Sequence, residues 1–295
     1  YMVVDGTTQR NLELIENARD GSQRGTLLSV LSGTQTAMGK RKMKHWILQP
    51  LCYIERIEQR LDAVDELSRS AIVRQSIVET LRPLGDLERI TSRIAFGSAN
   101  ARDLLSLLHV LERIPRILDS LKQCTSELLA NQRNRIDPLQ ELRKELKRAI
   151  VDDPPAAVKE GGMIREGYDD SLDNLRESIA SDKRWIASLQ ARERRRTGIK
   201  SLKVGYNKVF GYYIEITKSN LANVPDDYDR KQTLTNAERF ITPELKEKEA
   251  SVLAGEDKIN SLEYELYEEL RNKVRRVAKT LHENADSLAT VDVIA

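Results

Sequence analysis

The sequence predicts a mainly α fold: a multi-helix core, two long antiparallel helices, and a small antiparallel β module inserted at their far end. Three observations carry this prediction. Apolar residues make up 40% of the 295 and recur at helical spacing over most of the chain, with few Gly and Pro to interrupt them. Between Gly198 and Thr217 the period changes to two, with Leu202, Val204 and Tyr206 set against Lys203, Gly205 and Asn207. On either side of that island runs a long helical pattern with an apolar stripe, and each stripe needs cover from water. Pairing the two helices antiparallel covers both.

In chain order, Asp5–Gly6–Thr7–Thr8 opens a short helix through Leu12, Leu14 and Ile15, with Thr7 or Thr8 as its N-cap. Thr26–Leu31 is a second short apolar run, and a third helix starts near Thr36 and stops before Pro50. From Tyr53 to about Leu146 the pattern is helical, with Ile57, Leu61, Val64 and Leu67 as one core face and Leu81, Leu84, Leu87, Ile90 and Ile94 as another. Leu104, Leu107, Leu108 and Leu111 begin a further helix, and the breakers are Pro83, Gly97 and Pro115, with a kink rather than an end left open at Pro115. Asp152–Pro155, Gly161–Gly162 and Gly167 predict short extended pieces. A helix from Asp169 to Arg196, about 40 Å long at 1.5 Å per residue, leads into the island. There Asn207–Lys208–Val209–Phe210–Gly211 reads as a hairpin loop before the alternation of Tyr212, Ile214 and Ile216. Thr242–Pro243–Glu244 then starts a returning helix that carries its stripe through Leu288. The expected division is residues 1–190 for core and first long helix, 191–243 for the β module and 244–295 for the returning helix.

Composition excludes several classes of function. No apolar run is long enough to span a membrane, so no membrane partner is expected. Cys52 and Cys124 lie far apart and predict two buried free thiols in a reducing setting. His45, His109 and His282 are isolated in sequence and predict helix-surface residues rather than ligands. Gly33–Lys40 superficially resembles a phosphate-binding loop, but five residues separate its glycines and Arg41 follows Lys40, so a helix start is the better account. No motif points to catalysis, and the chain is expected to be no enzyme and to hold no cofactor. Opening on Tyr1, it is expected to be a piece of something longer.

Net charge is only +2, yet ten of the basic residues and five of the acidic ones fall between Arg194 and Arg239. Six of the fourteen aromatics fall between Tyr206 and Phe240, chiefly as the module's core. The run Arg192, Arg194, Arg195 and Arg196 reads first as a cationic helix end. The binding candidates are Asn207 and Lys208 at the hairpin, and Arg230, Lys231, Gln232, Thr233, Thr235, Asn236 and Arg239 on the returning segment. Cations neutralise phosphates, and amides and hydroxyls bond them without reading sequence. The competing reading is a coiled-coil scaffold whose β tip docks another protein.

The stretches Leu202–Asn207, Gly211–Ile214, Arg230–Leu234, Asn236–Phe240 and Thr242–Lys246 together resemble the clamp region of MutS DNA mismatch repair proteins. Thr8–Leu14, Thr26–Leu31, Trp46 with Pro50–Leu51, Arg60–Val64, Asp86–Arg89, Arg102–Leu104 and Ile164–Asp169 follow in the family's core order. The resemblance implies a core, lever and clamp portion without the mismatch-reading and ATPase domains. It implies non-specific duplex backbone binding by the clamp, coupled through the levers to an ATPase. The implied partners are double-stranded DNA, a second MutS subunit and a MutL-type repair protein, with ATP and Mg in the full-length protein and a cytoplasmic, nucleoid-associated setting. Asn207, Lys208 and Asn236 lead the implied backbone contacts, then Arg230, Lys231 and Lys218, then Thr235 and Arg239. Thr235 stands where a basic residue is frequent in the family.

Overall fold

A computed structural model describes residues 1–207, 209 and 211–295. Its helices are α1 (Gly6–Asn11), α2 (Leu27–Leu31), α3 (Ala37–Leu48), α4 (Ile54–Arg69), α5 (Ala71–Leu81), α6 (Leu87–Ala95), α7 (Ala101–Leu121), α8 (Glu127–Arg135), α9 (Gln140–Ala149) and α10 (Asp170–Thr197). Strands β1 (Lys203–Asn207) and β2 (Gly211–Thr217) follow, then a 3-10 turn (Lys218–Asn223), β3 (Asp229–Thr233) and β4 (Ala237–Ile241). Helices α11 (Pro243–Arg276) and α12 (Ala278–Ile294) complete the order. The fold is mainly α with one antiparallel sheet inserted between helices. It forms two compact units, residues 1–158 with 267–295, and residues 159–266.

The first unit is built around α7, whose Leu104, Leu107, Leu111, Ile114 and Ile117 are fully buried. Asn100 and Asp103 close a capping box at its start. Helix α12 packs against α3, α6 and α8, and buries Leu281, Leu288 and Val291. Polar staples join these helices. Glu66 accepts from the amides of Thr125 and Ser126, and Arg41 pairs with both Asp86 and Glu88.

In the second unit α10 starts at Asp169, whose carboxylate accepts from the Leu172 amide (2.9 Å), and ends at Gly198 in the left-handed conformation. It lies antiparallel to the first part of α11, as the order of the cross-links shows: Arg176 with Glu263, Lys183 with Glu256, Lys248 with Asp182, Arg192 with Glu244. Buried Glu263 also accepts from the amides of Met163 and Ile164 and so ties down a segment without regular structure. The sheet has the order β1-β2-β4-β3, with every neighbouring pair antiparallel. Its inner face buries Ile214, Ile216 and Phe240 with Leu202, Tyr228, Leu245 and Val252. Thr242 caps α11 through the Leu245 amide (3.1 Å), with Pro243 in the first position as the sequence requires.

Several local expectations are corrected. Asp5, not Thr7 or Thr8, caps α1, because its carboxylate reaches the Thr8 amide; Leu12, Leu14 and Ile15 lie beyond that helix. Of the face expected on α4 only Leu67 is buried; Ile57, Leu61 and Val64 are exposed, and Ala63 turns inward beside Leu67. Pro115 sits inside α7 without ending it. Among the described residues, 151–168 hold no strand longer than an isolated bridge. The returning stripe is broken at Val277, which leaves the helical region between α11 and α12. Cys124 is buried, and burial pushes its thiol pKa up to about 11, but Cys52 is exposed. Tyr206 is 55% exposed, so the island's aromatics are not all core.

Candidate nucleic-acid interface

Strand pairing separates residues that the sequence lists within thirty positions of each other. Asn207 pairs with Gly211 at one end of β2, and Thr217 pairs with Ala237 at the other. The β1–β2 hairpin and the β3–β4 turn therefore point in opposite directions, roughly 20 Å apart for a seven-residue strand. Asn236 and Asn207 belong to different ends.

The end at the β3–β4 turn gathers Lys218, Thr235 and Asn236. The Leu234 amide donates to the Ala237 carbonyl (2.9 Å), which leaves Thr235 and Asn236 as the exposed turn. The Lys218 amide donates to the Asn236 carbonyl (3.1 Å), so the exposed lysine stands beside that turn. A polar cluster adjoins them: the Asn220 side-chain amide donates to the hydroxyls of Thr217 (2.9 Å) and Ser201 (3.1 Å). Exposed Lys200 and Lys203 flank Ser201 in the chain. No Asp or Glu occurs in 199–204, 216–220 or 233–237. The nearest carboxylates, Glu215 opposite Lys203 and Glu238 opposite Thr233, are paired with Arg239 and Arg230, so the exposed groups of the turn are cations, amides and hydroxyls.

The β1–β2 end is different. Asn207 turns its carbonyl oxygen onto the Val209 amide (2.8 Å). Lys208 lies outside the described residues. Glu249 of α11 reaches over and accepts from the Tyr212 amide (2.7 Å). Gly211, at φ +73°, lets that carboxylate come so close that a Cβ would collide with it. Tyr206 and Val209 are exposed here, and Tyr206 packs on Tyr212 with ring centroids 4.9 Å apart.

The remaining candidates lie along β3 and β4. Arg230 is exposed and stands 2.9 Å from the buried Glu238 carboxylate, an ion pair without hydrogen-bond alignment. Lys231 is exposed at a bulge between Arg230 and Gln232. Arg239 is turned inward: its guanidinium lies 4.0 Å from the Tyr213 ring centroid and donates to Glu215 (3.1 Å) and Gln232 (3.0 Å). The arginine run is mostly internal as well. Arg192 stacks on Trp185, Arg194 donates to the Leu202 carbonyl, and Arg196 bonds both Glu193 and Asp227. Glu193 also accepts from the buried Tyr228 hydroxyl (2.7 Å), and burial together with that carboxylate pushes the phenol's pKa up.

The phosphate-loop look-alike is closed by the chain itself. Asp292 accepts from the amides of Gln35 and Thr36 (2.8 Å each) and from the Thr36 hydroxyl (2.6 Å), while Thr36 caps α3 at Gly39. A Cβ at Gly39 would strike that carboxylate. His45 and His282, isolated in sequence, line one cavity with Met38 and Ala289, but no cluster that could hold a metal occurs among the described residues. The sequence reading missed Lys200, Lys203, Ser201 and Asn220 as neighbours of the β3–β4 turn, and Glu249 as a neighbour of the hairpin. Strand pairing reveals the first grouping, and the reach of α11 to Tyr212 the second.

The profile of MutS domain III matches residues 7–295. A protein of Halothermothrix orenii called DNA mismatch repair protein MutS is 52% identical over the whole chain, which covers 33% of it. Proteins of the same name from Acetivibrio thermocellus and Methanosarcina mazei are 48% and 47% identical, with 34% and 33% of their lengths covered. The chain thus spans about a third of the length of the curated relatives it matches. It belongs to the MutS domain III family.

Proposed function

We propose that this chain supplies sequence-independent duplex DNA backbone binding within a DNA mismatch repair protein, with the sheet as clamp and the paired helices as levers. The observation that carries the proposal is the cationic end of the sheet, where Lys218, Thr235 and Asn236 meet beside Ser201 and Asn220 and the neighbouring Glu215 and Glu238 are paired with Arg239 and Arg230. Lysines there neutralise phosphates, and the turn amide and hydroxyls orient them. Asn207, Lys208, Arg230 and Lys231 extend the contact along the sheet; Arg239, engaged with Tyr213 and Glu215, supports it from beneath. In the functional division we propose, residues 191–243 are the clamp.

The levers would pass clamp position on as stiff rods to an ATPase, within a dimer that a MutL-type partner recognises. The phosphate-loop look-alike does not fit ATP: Asp292 already sits where an anion would lie. We place that chemistry in the part of the relatives' length this chain does not span. Cross-linking the lever helices in the whole protein should uncouple DNA from nucleotide response; an unchanged response sinks the coupling.

Anisotropy of a labelled duplex, matched and mismatched, tests the binding. Weak binding blind to the mismatch is expected, with log affinity falling by about 0.9 per log salt for each neutralised phosphate. Replacement of Lys218, Thr235 and Asn236 by Ala should abolish it. Exposed Tyr206 and Val209 favour a second reading, a protein-docking hairpin. Binding that ignores salt and the triple replacement, but fails in Tyr206→Ala, would favour that reading.

A further inference from the structure

We propose that a polar groove on α7, in the first unit, is an anion site for a phosphate-bearing ligand. The groove encloses about 440 Å³ and is lined by Pro83, His109, Glu112, Arg113 and Arg116. His109, Arg113 and Arg116 stand at i, i+4 and i+7, so one helical face presents all three. The single carboxylate in the lining, Glu112, is taken by Lys147 (2.8 Å). Neither arginine has an ion pair or a side-chain hydrogen bond among the described residues.

Structural explanations for the pair are weak. Like charges one turn apart disfavour a helix by about 0.2–0.5 kcal/mol per pair, so the spacing works against α7. A helix dipole attracts cations only within its last turn, and both arginines precede the last turn of α7. The carboxyl end of α5 lies beside Pro83, but neither guanidinium donates to its carbonyls. Two uncommitted guanidiniums facing a polar cavity suit an oxyanion with several acceptor oxygens. No Phe, Tyr or Trp lines the groove, and its two guanidiniums make the phosphate the part recognised. Free di- or polyphosphate and the backbone of a nucleic acid offer the same chemistry.

The test is an NMR titration of the 295-residue chain with pyrophosphate at low salt, and separately with a short duplex in a Lys218→Ala, Asn236→Ala background. Saturable amide shifts at 109–116 are expected with at least one probe; shifts with pyrophosphate alone identify a free ligand, and shifts with the duplex identify a backbone. Arg113→Gln with Arg116→Gln should weaken that binding about tenfold without lowering the melting temperature. The proposal is overturned if neither probe shifts α7, or if the double variant binds as tightly as the parent. A melting temperature lower by several degrees with binding unchanged would assign the arginines to the end of α5 instead.

Discussion

The two ends of the sheet differ in who supplies the anion. At the β1–β2 hairpin the chain provides its own, with Glu249 bonded to the Tyr212 amide over Gly211. At the β3–β4 turn no carboxylate among the described residues accepts from the Thr235 or Asn236 amide, and Lys218 and Asn236 face solvent. The start of α3 repeats the first situation in the other unit, where Asp292 satisfies Gln35 and Thr36. A ring of donors is therefore not enough to mark a phosphate site. Where a carboxylate of the chain already fills the position the donors serve the fold, and where none does they can serve a ligand.

The comparison can be broken by emptying or filling these positions. The largest effect is expected for Asp292→Ala, which strands two buried donors and one partly buried donor and should cost about 3 kcal/mol in urea unfolding. A loss below about 1 kcal/mol would show that water replaces the carboxylate easily. Gly211→Ala comes next, at about 1–3 kcal/mol, because it forces a side chain into a left-handed conformation against Glu249. Stability equal to the parent's would mean the hairpin is not held there. Lys218→Ala alone should weaken duplex binding several-fold, up to about tenfold, and reduce the salt slope by about one, with thermal stability untouched. An unchanged slope would remove Lys218 from the interface. The smallest effect is Glu249→Gln, which keeps an acceptor and removes a charge; duplex binding should strengthen about twofold at low salt and not at high salt. A larger gain would bring the hairpin end into the contact.

Much of the scaffold was legible because its signals are local. Thr242–Pro243 fixes the start of α11, Asp169 and Gly198 bracket α10, and two facing stripes require the antiparallel pair. Strands β3 and β4 were not legible as strands. Asp229–Thr233 has no apolar alternation because it is an exposed edge, and β4 hides Glu238 and Arg239 among partners far away in sequence. Helix α4 shows a different limit: its periodic Ile57, Leu61 and Val64 announce an apolar face without saying whether anything covers it. For the candidate interface, residue types were readable but grouping was not. Chain proximity suggested one surface joining Asn207 to Asn236, and the strand order puts them at opposite ends.

The bulge at Lys231 has a bearing on solubility. Strand β3 closes one side of the sheet, and an open flank of backbone donors and acceptors invites strands from other molecules to add on. Here an incoming strand would meet Arg230 and Lys231 and lose its register between Arg230 and Gln232. The same charges that suit a polyanion thus keep the protein from polymerising through its own sheet when no polyanion is present.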